Sequence, residues 1–210
     1  PGTQVLLSLL PTILPEGPVV LASPTYTSHR DAWTRESRAP IEVSSVYSLP
    51  ADAKIVVLVN PNNPDGRLID VKSLIEIART LSARGGYLVV DEAFAEVVPG
   101  ATLLPHIGTE NVVVLRSFGK FFGLAGLRIG FLAGEKTAIS RMSGLLDSWS
   151  LSGPALEIGA RALRDSTWQD RTTRQLIEDM ADLTVALSEA GLSVFGGTPL
   201  YALAGLRNPK

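Results

Sequence analysis

The chain has 210 residues, 45% of them hydrophobic and 19% charged, with a formal net charge of −2. That is enough for one sizeable core, or a core with a smaller appended lobe, and the charge gives no electrostatic footprint for nucleic acid. The absence of cysteine excludes disulfides and thiolate metal sites, His29 and His106 stand too far apart to make a good metal pair, and no apolar run approaches the roughly 18 residues of a membrane span.

The chain opens on GTQVLLSLL, a helical pattern without a basic, signal-like start, so a soluble cytoplasmic protein is expected. The abrupt start at Pro1 and the end at YALAGLRNPK read as the limits of a piece of a longer protein. PVVLAS (18–23) predicts a strand, and TSHRDAWTRES (27–37) a charged helix with His29 on its surface. KIVVLVN (54–60) is a continuous β-branched run. DVKSLIEIARTLSARGG (70–86) is an amphipathic helix with Asp70 as N-cap and Gly85–Gly86 closing it. YLVVDEAF (87–94), NVVVLRSF (111–118) and LRIGFLAG (127–134) are further apolar runs. Runs apolar at every position suit strands buried on both faces, and their alternation with helices predicts an α/β fold with a mostly parallel sheet between helices. From about residue 135 the pattern changes to three helices, over 135–149, 154–166 and 167–191, followed by a hairpin-like pair of strands over 192–206. The expected organisation is a large domain over 1–150, then connecting helices and the beginning of a small α+β domain over 151–210.

Four of the apolar runs end in polar residues unusual at such positions. PVVLAS gives Ser23, with Tyr26 close behind; KIVVLVN opens NPNNPDG; YLVV leads to Asp91–Glu92; NVVVLR leads to Ser117, with Lys120 three residues on. Ligands of open α/β sheets bind at the carboxyl ends of strands, so Tyr26, Asn63, Asp91, Ser117 and Lys120 are expected on one edge. Taken singly, each has a plainer reading as a turn, a helix cap, a core aromatic or a solvated amine. Jointly they suggest more. A lysine buried in SFGKFFGLAGLRIG (117–130) is disfavoured as an ammonium and becomes a nucleophile. Such an amine beside a carboxylate, an amide and an arginine suits a Schiff base to pyridoxal 5'-phosphate. That cofactor needs a lysine for its aldehyde, a carboxylate for its ring nitrogen, a donor for its phenolic oxygen and a phosphate cup of backbone N–H groups, a hydroxyl and an arginine. Lys120, Asp91, Asn63, Ser117 and Arg128 fill these roles, and the helix opening at GTQ offers backbone donors. Arg128 is expected at the start of a strand, and Gly119, Gly123 and Gly126 are expected to bring backbone close to the phosphate.

NPNNPDG, VVDEAF and SFGKFFGLAGLRIG, in that order and at those spacings, resemble the fold-type-I pyridoxal-phosphate enzymes of the class I/II aminotransferase superfamily. Within it, GTQ…LLP, PTY…H…AW, LVNPNNPDGR, SGPAL and GGTPL are similar to the threonine-phosphate decarboxylases of cobalamin biosynthesis, which neighbour the histidinol-phosphate aminotransferases. The resemblance implies an aspartate-aminotransferase-like large domain, no metal, a homodimer, a small phosphorylated amino-acid substrate, and no nucleic-acid or membrane partner. It assigns Lys120 to the cofactor aldehyde, Asp91 to the pyridine nitrogen, Asn63 to the phenolic oxygen and Tyr26 to the ring face. Thr3, Gln4, Ser117 and Arg128 would hold the phosphate. The implied reaction is decarboxylation of L-threonine O-3-phosphate to (R)-1-amino-2-propanol O-2-phosphate. A histidinol-phosphate-type aminotransferase is the alternative, and a non-catalytic ligand-sensing domain of the same fold a second one. Two positions depart from many relatives: Phe94 stands where they carry a tyrosine, and Gly119 where they carry serine or threonine. The arginine that takes the substrate carboxylate in the family is expected beyond the hairpin, and Arg207 follows it too soon to be that residue. A dinucleotide site is excluded on pattern, because GLAGLRIG does not give G-x-G-x-x-G and precedes a strand.

Overall fold

The computed structural model describes residues 1–108 and 110–206, and Arg207 lies outside them. Six strands form one sheet: β1 (Val19–Ala22), β2 (Ile41–Val43), β3 (Ile55–Val59), β4 (Tyr87–Asp91), β5 (Val112–Ser117) and β6 (Gly130–Gly134), in the order β2-β1-β3-β4-β5-β6. The first five are parallel, as the sequence predicts for a mostly parallel sheet, and β6 runs antiparallel to β5. The reversal follows from the connection. Residues 118–129 hold only a 3-10 turn at Ala125–Leu127 and no helix to carry a parallel crossover. β2 is not foreseen by the sequence pattern. Its three residues are centred on Glu42 and largely exposed at the sheet edge, so no apolar run marks it.

Alternation along the strands divides the core into two layers. Ile55 and Val57 face α1 (Thr3–Ile13), α2 (Ser28–Arg35) and α4 (Lys136–Leu145), whereas Val56 and Leu58 face α3 (Val71–Ser82). Both faces are covered, which is why these strands read as unbroken apolar runs. α3 starts as its sequence predicts, with the Asp70 carboxylate accepting from the Ser73 N–H at 2.9 Å.

A third cluster fixes the segment after β5. Phe118, Phe121, Phe122 and Ile129 pack with Val97, with Ala155 of α5 (Gly153–Arg164) and against Trp168 of α6 (Ser166–Glu189). Phe118 stacks on Phe122 at 4.3 Å between ring centroids, and Phe122 on Trp168 at 6.0 Å. β7 (Leu192–Thr198) and β8 (Tyr201–Leu206) form the antiparallel hairpin that the sequence suggests. The hairpin rests on the 60–67 loop: a Cβ at Gly66, whose φ is +69°, would overlap the Gly197 carbonyl, and one at Gly196 would overlap that of Asp65. No described helix is long and apolar enough to cross a membrane.

Candidate active site

Each parallel strand delivers its last residues to one edge of the sheet. There a cleft of about 300 Å³ is lined by all eight residues picked out from the sequence: Thr3, Gln4, Tyr26, Asn63, Asp91, Ser117, Lys120 and Arg128. Leu7, Val59, Phe94 and Ile129 supply its apolar walls.

Asp91 ends β4 and is buried, with 4% of its surface exposed. A carboxylate so placed needs partners. It has two: the Ala93 N–H donates to Oδ1 at 3.0 Å, and Nε2 of His29 lies 3.0 Å from Oδ2. His29 is fully buried, which corrects the expectation of a surface residue. The reason lies in α2, where His29, Ala32 and Trp33 form the buried stripe at i, i+3 and i+4. That spacing was the signal for His29, masked by the charged residues around it. With the Asp91 oxygen as acceptor, Nε2 is the donor of this hydrogen bond; among the described residues Nδ1 is buried without a partner.

Asn63 owes its place to its neighbours. Asn60 is spent on the backbone of Ile69, donating to its carbonyl at 3.1 Å and accepting from its N–H at 2.8 Å. Asn62 donates to the Pro24 carbonyl and Asp65 and accepts from Thr25. Two of the three asparagines of NPNNPDG therefore build the loop, and Asn63 lines the cleft.

Lys120 is exposed to the cleft, which corrects the expectation of a buried lysine. Phe118, Phe121 and Phe122 turn into their own cluster and leave the amine outside it. Its Nζ sits 5.5 Å from the centroid of Phe94, whose ring face favours a cation.

At the far end, α1 begins without a side-chain cap, so the first-turn N–H groups beside Gly2, Thr3 and Gln4 open toward Arg128. Close approach is built in here: a Cβ on Gly2 would come within 2.6 Å of the Arg128 guanidinium, and one on Gly130 would overlap the Thr3 backbone nitrogen. The glycines that matter for this approach are thus Gly2 and Gly130. Gly126 faces open space, and a Cβ at Gly119 would make only ordinary contacts, the nearest at 3.5 Å. Nothing steric excludes a serine or threonine at that position. Arg128 sits ahead of β6, in the left-handed region with φ 53°, and caps the 3-10 turn. The Thr3 hydroxyl donates to the Arg116 carbonyl at 2.8 Å, which leaves its backbone N–H as the donor for a ligand. Tyr26 is 41% exposed over the cleft, and its hydroxyl donates to Gln4 Oε1 at 3.1 Å. Ser117 Oγ accepts from the Gly119 N–H at 3.2 Å.

Behind β4 and β5 lies a network that the sequence reading missed. Arg116 pairs with Glu92 at 3.2 Å and with Glu96 at 2.8 Å, and Glu92 also accepts from the Thr102 hydroxyl and the Leu103 N–H. Burial raises both carboxyls above the ordinary range, against the pull of Arg116 and the hydrogen bonds. Two buried acids sharing one guanidinium carry a proton more readily than either would in water. Their spacing, Glu92 and Glu96 with Arg116 on the next strand, has no motif that sequence inspection could have used.

The donor set suits a flat aromatic aldehyde phosphate: a buried carboxylate at one end, an amide and an amine along one side, an aromatic face, and a helix N-terminus with an arginine at the other end. The sequence matches the family described as aminotransferase class I and II over residues 1–210. It is 38% identical over 205 residues to a threonine-phosphate decarboxylase from Sinorhizobium sp, covering 97% of this chain and 61% of that protein. It is 39% identical over 126 residues to histidinol-phosphate aminotransferase 1 of Legionella pneumophila, covering 60% of this chain and 34% of that protein. The fold is shared with L-threonine-O-3-phosphate decarboxylase from Porphyromonas gingivalis, with a TM-score of 0.86 at 20% identity over 99% of this chain and 66% of that one. The chain thus spans about three fifths of the length of the decarboxylase it matches. By sequence and by architecture, it belongs to the class I and II aminotransferase family.

Proposed function

We propose that the chain carries the cofactor half of a pyridoxal-phosphate-dependent lyase that decarboxylates L-threonine O-3-phosphate to (R)-1-amino-2-propanol O-2-phosphate, a step of cobalamin synthesis. The observation that carries this reading is the convergence of all eight expected residues on one cleft at the strand ends, with Asp91 buried against His29. The extent of the match to the Sinorhizobium decarboxylase favours that reaction within the family.

When bound, pyridoxal phosphate supplies an electron sink for the pair released as the substrate carboxylate departs. The residues divide the remaining work. Lys120 would hold the cofactor aldehyde through its amine, and the same amine stands where it would deliver a proton to the substrate α-carbon. Asp91, oriented by His29, keeps a proton on the ring nitrogen. Asn63 donates to the phenolic oxygen, where Phe94 has no hydroxyl to add. Tyr26 covers a ring face. Arg128, Ser117 and the N–H groups of Thr3 and Gln4 take the phosphate. The substrate carboxylate is held by groups outside residues 1–210.

The division into a large domain over 1–150 and a connecting and small-domain segment over 151–210 belongs to the same proposal, as do a homodimeric, cytoplasmic enzyme and a small phosphorylated amino-acid substrate. A histidinol-phosphate-type aminotransferase is the second reading, favoured by the match to the Legionella enzyme. Incubating the full-length protein with each phosphate ester separates the two. CO₂ release from threonine phosphate without amino transfer to 2-oxoglutarate is expected. Amino transfer without CO₂ would overturn the decarboxylase reading.

A further inference from the structure

Tyr201 begins β8 and stands where the hairpin meets the 60–67 loop. Its hydroxyl donates to the Asn62 carbonyl, which also accepts the Gly66 N–H at 2.7 Å. The Asn62 side chain is committed as well: Nδ2 donates to the Pro24 carbonyl at 2.9 Å and to Asp65 Oδ1 at 2.7 Å, and Oδ1 accepts from Thr25 at 2.6 Å. With Asn62 held on all sides, the next residue, Asn63, faces both the cleft and an adjoining recess of about 500 Å³ that Tyr201, Leu200, Phe94 and Lys120 also line. The Tyr201 ring meets Phe94 edge to face at 4.9 Å. One side chain thus touches the loop that carries Asn63 and the ring that lies under Lys120. Burial first, then nearby Asp65, push the Tyr201 hydroxyl up to about 12, so it remains a donor at any working pH.

We propose that Tyr201 is a positioning residue for Asn63: its hydroxyl, given to Asn62, sets the Asn63 amide against the phenolic oxygen of pyridoxal phosphate. The inference rests on the cofactor reading above. A donor at that oxygen draws charge away from it and weakens its hold on the proton of the nitrogen joined to Lys120. A misplaced amide therefore raises the pH at which the bound cofactor's visible absorbance band titrates.

The test uses the full-length protein loaded with pyridoxal phosphate, in parent, Tyr201→Phe, Asn63→Ala and double-variant forms. Tyr201→Phe keeps the ring contacts and is expected to raise the titration midpoint by about half a pH unit, the size of one neutral hydrogen bond. Asn63→Ala is expected to move it further in the same direction, and the double variant to match Asn63→Ala alone. In the cofactor-free protein, amide exchange across 60–67 is expected to become several-fold faster in Tyr201→Phe. A midpoint unchanged in Tyr201→Phe, or a double-variant shift equal to the sum of the single shifts, overturns the proposal. A parent protein with no visible band sinks the cofactor reading instead. Exchange across 60–67 then decides the hold on Asn62 by itself, and unchanged exchange overturns that hold.

Discussion

At the residue scale, the site depends on how a buried carboxylate is kept in place. Asp91 has the Ala93 N–H on one oxygen and His29 on the other, both at 3.0 Å. Removing the imidazole leaves a buried acceptor unpaired, and a hydrogen bond to a charged group contributes about 1.5–3 kcal/mol. His29→Ala in the full-length protein is therefore expected to weaken pyridoxal-phosphate binding roughly 10- to 100-fold, read by fluorescence titration. His29→Gln, which keeps a donor, should recover part of the loss. Equal affinity in parent and His29→Ala would remove His29 from the site. The same scale shows what sequence can and cannot reveal. Asp91, Asn63 and Lys120 were legible because strand ends and loop motifs place them together whatever the details. His29 was not, because its neighbours Ser28, Arg30 and Asp31 make α2 look solvated while its stripe is buried. The exposure of Lys120 is not legible in its apolar sequence surroundings, since only packing turns its phenylalanine neighbours toward Trp168.

At the element scale, the parallel strands were legible from unbroken apolar runs, and β2 was not, since an exposed edge of three residues carries no such run. The direction of β6 follows from a connection that holds no crossover helix, a fact of loop geometry rather than of pattern. The contact between hairpin and loop was equally hidden, because glycines in GGTPL and NPNNPDG read as turn residues. Gly66→Ala both strains the left-handed backbone and drives a Cβ into the Gly197 carbonyl. Left-handed strain alone is about 1–2 kcal/mol, so a fall in melting temperature of roughly 2–8 °C is expected, measured by calorimetry. An unchanged melting temperature would mean that the hairpin does not dock there. A second element-level feature is the pair of buried carboxyls, Glu92 and Glu96, that share Arg116. Glu96 titrates higher in the folded chain than its ordinary 4.5, chiefly through burial. The folded state then holds more protons than the unfolded one above that pH, so stability declines as pH rises. Glu96→Gln removes this contribution, and its melting temperature should fall less steeply between pH 5 and pH 8. An equally steep fall in the variant would show that Glu96 does not carry this pH dependence.

At the scale of the whole molecule, burial is uneven. The two sheet faces are closed, yet α6, which spans 24 residues, has no buried residue. Trp149 is 88% exposed, Phe195 64%, Val185 58% and Leu156 55%. Where such exposed apolar side chains adjoin, they mark an interface or invite association. The proposed homodimer, and further chain of the length that relatives have, would each supply cover of this kind. Residues 1–210 alone are therefore expected to bind a hydrophobic dye strongly and to elute at a size that grows with concentration. The full-length protein should bind little dye and elute as a dimer. Trp149→Arg should lessen association of residues 1–210 while shifting the melting temperature by no more than about 1–2 °C, since a side chain this exposed buries almost nothing. Light scattering on the two lengths of chain decides it. Residues 1–210 that remain a dye-silent monomer at every concentration would show that this surface needs no cover, and the dimer would then have to be sought on another face.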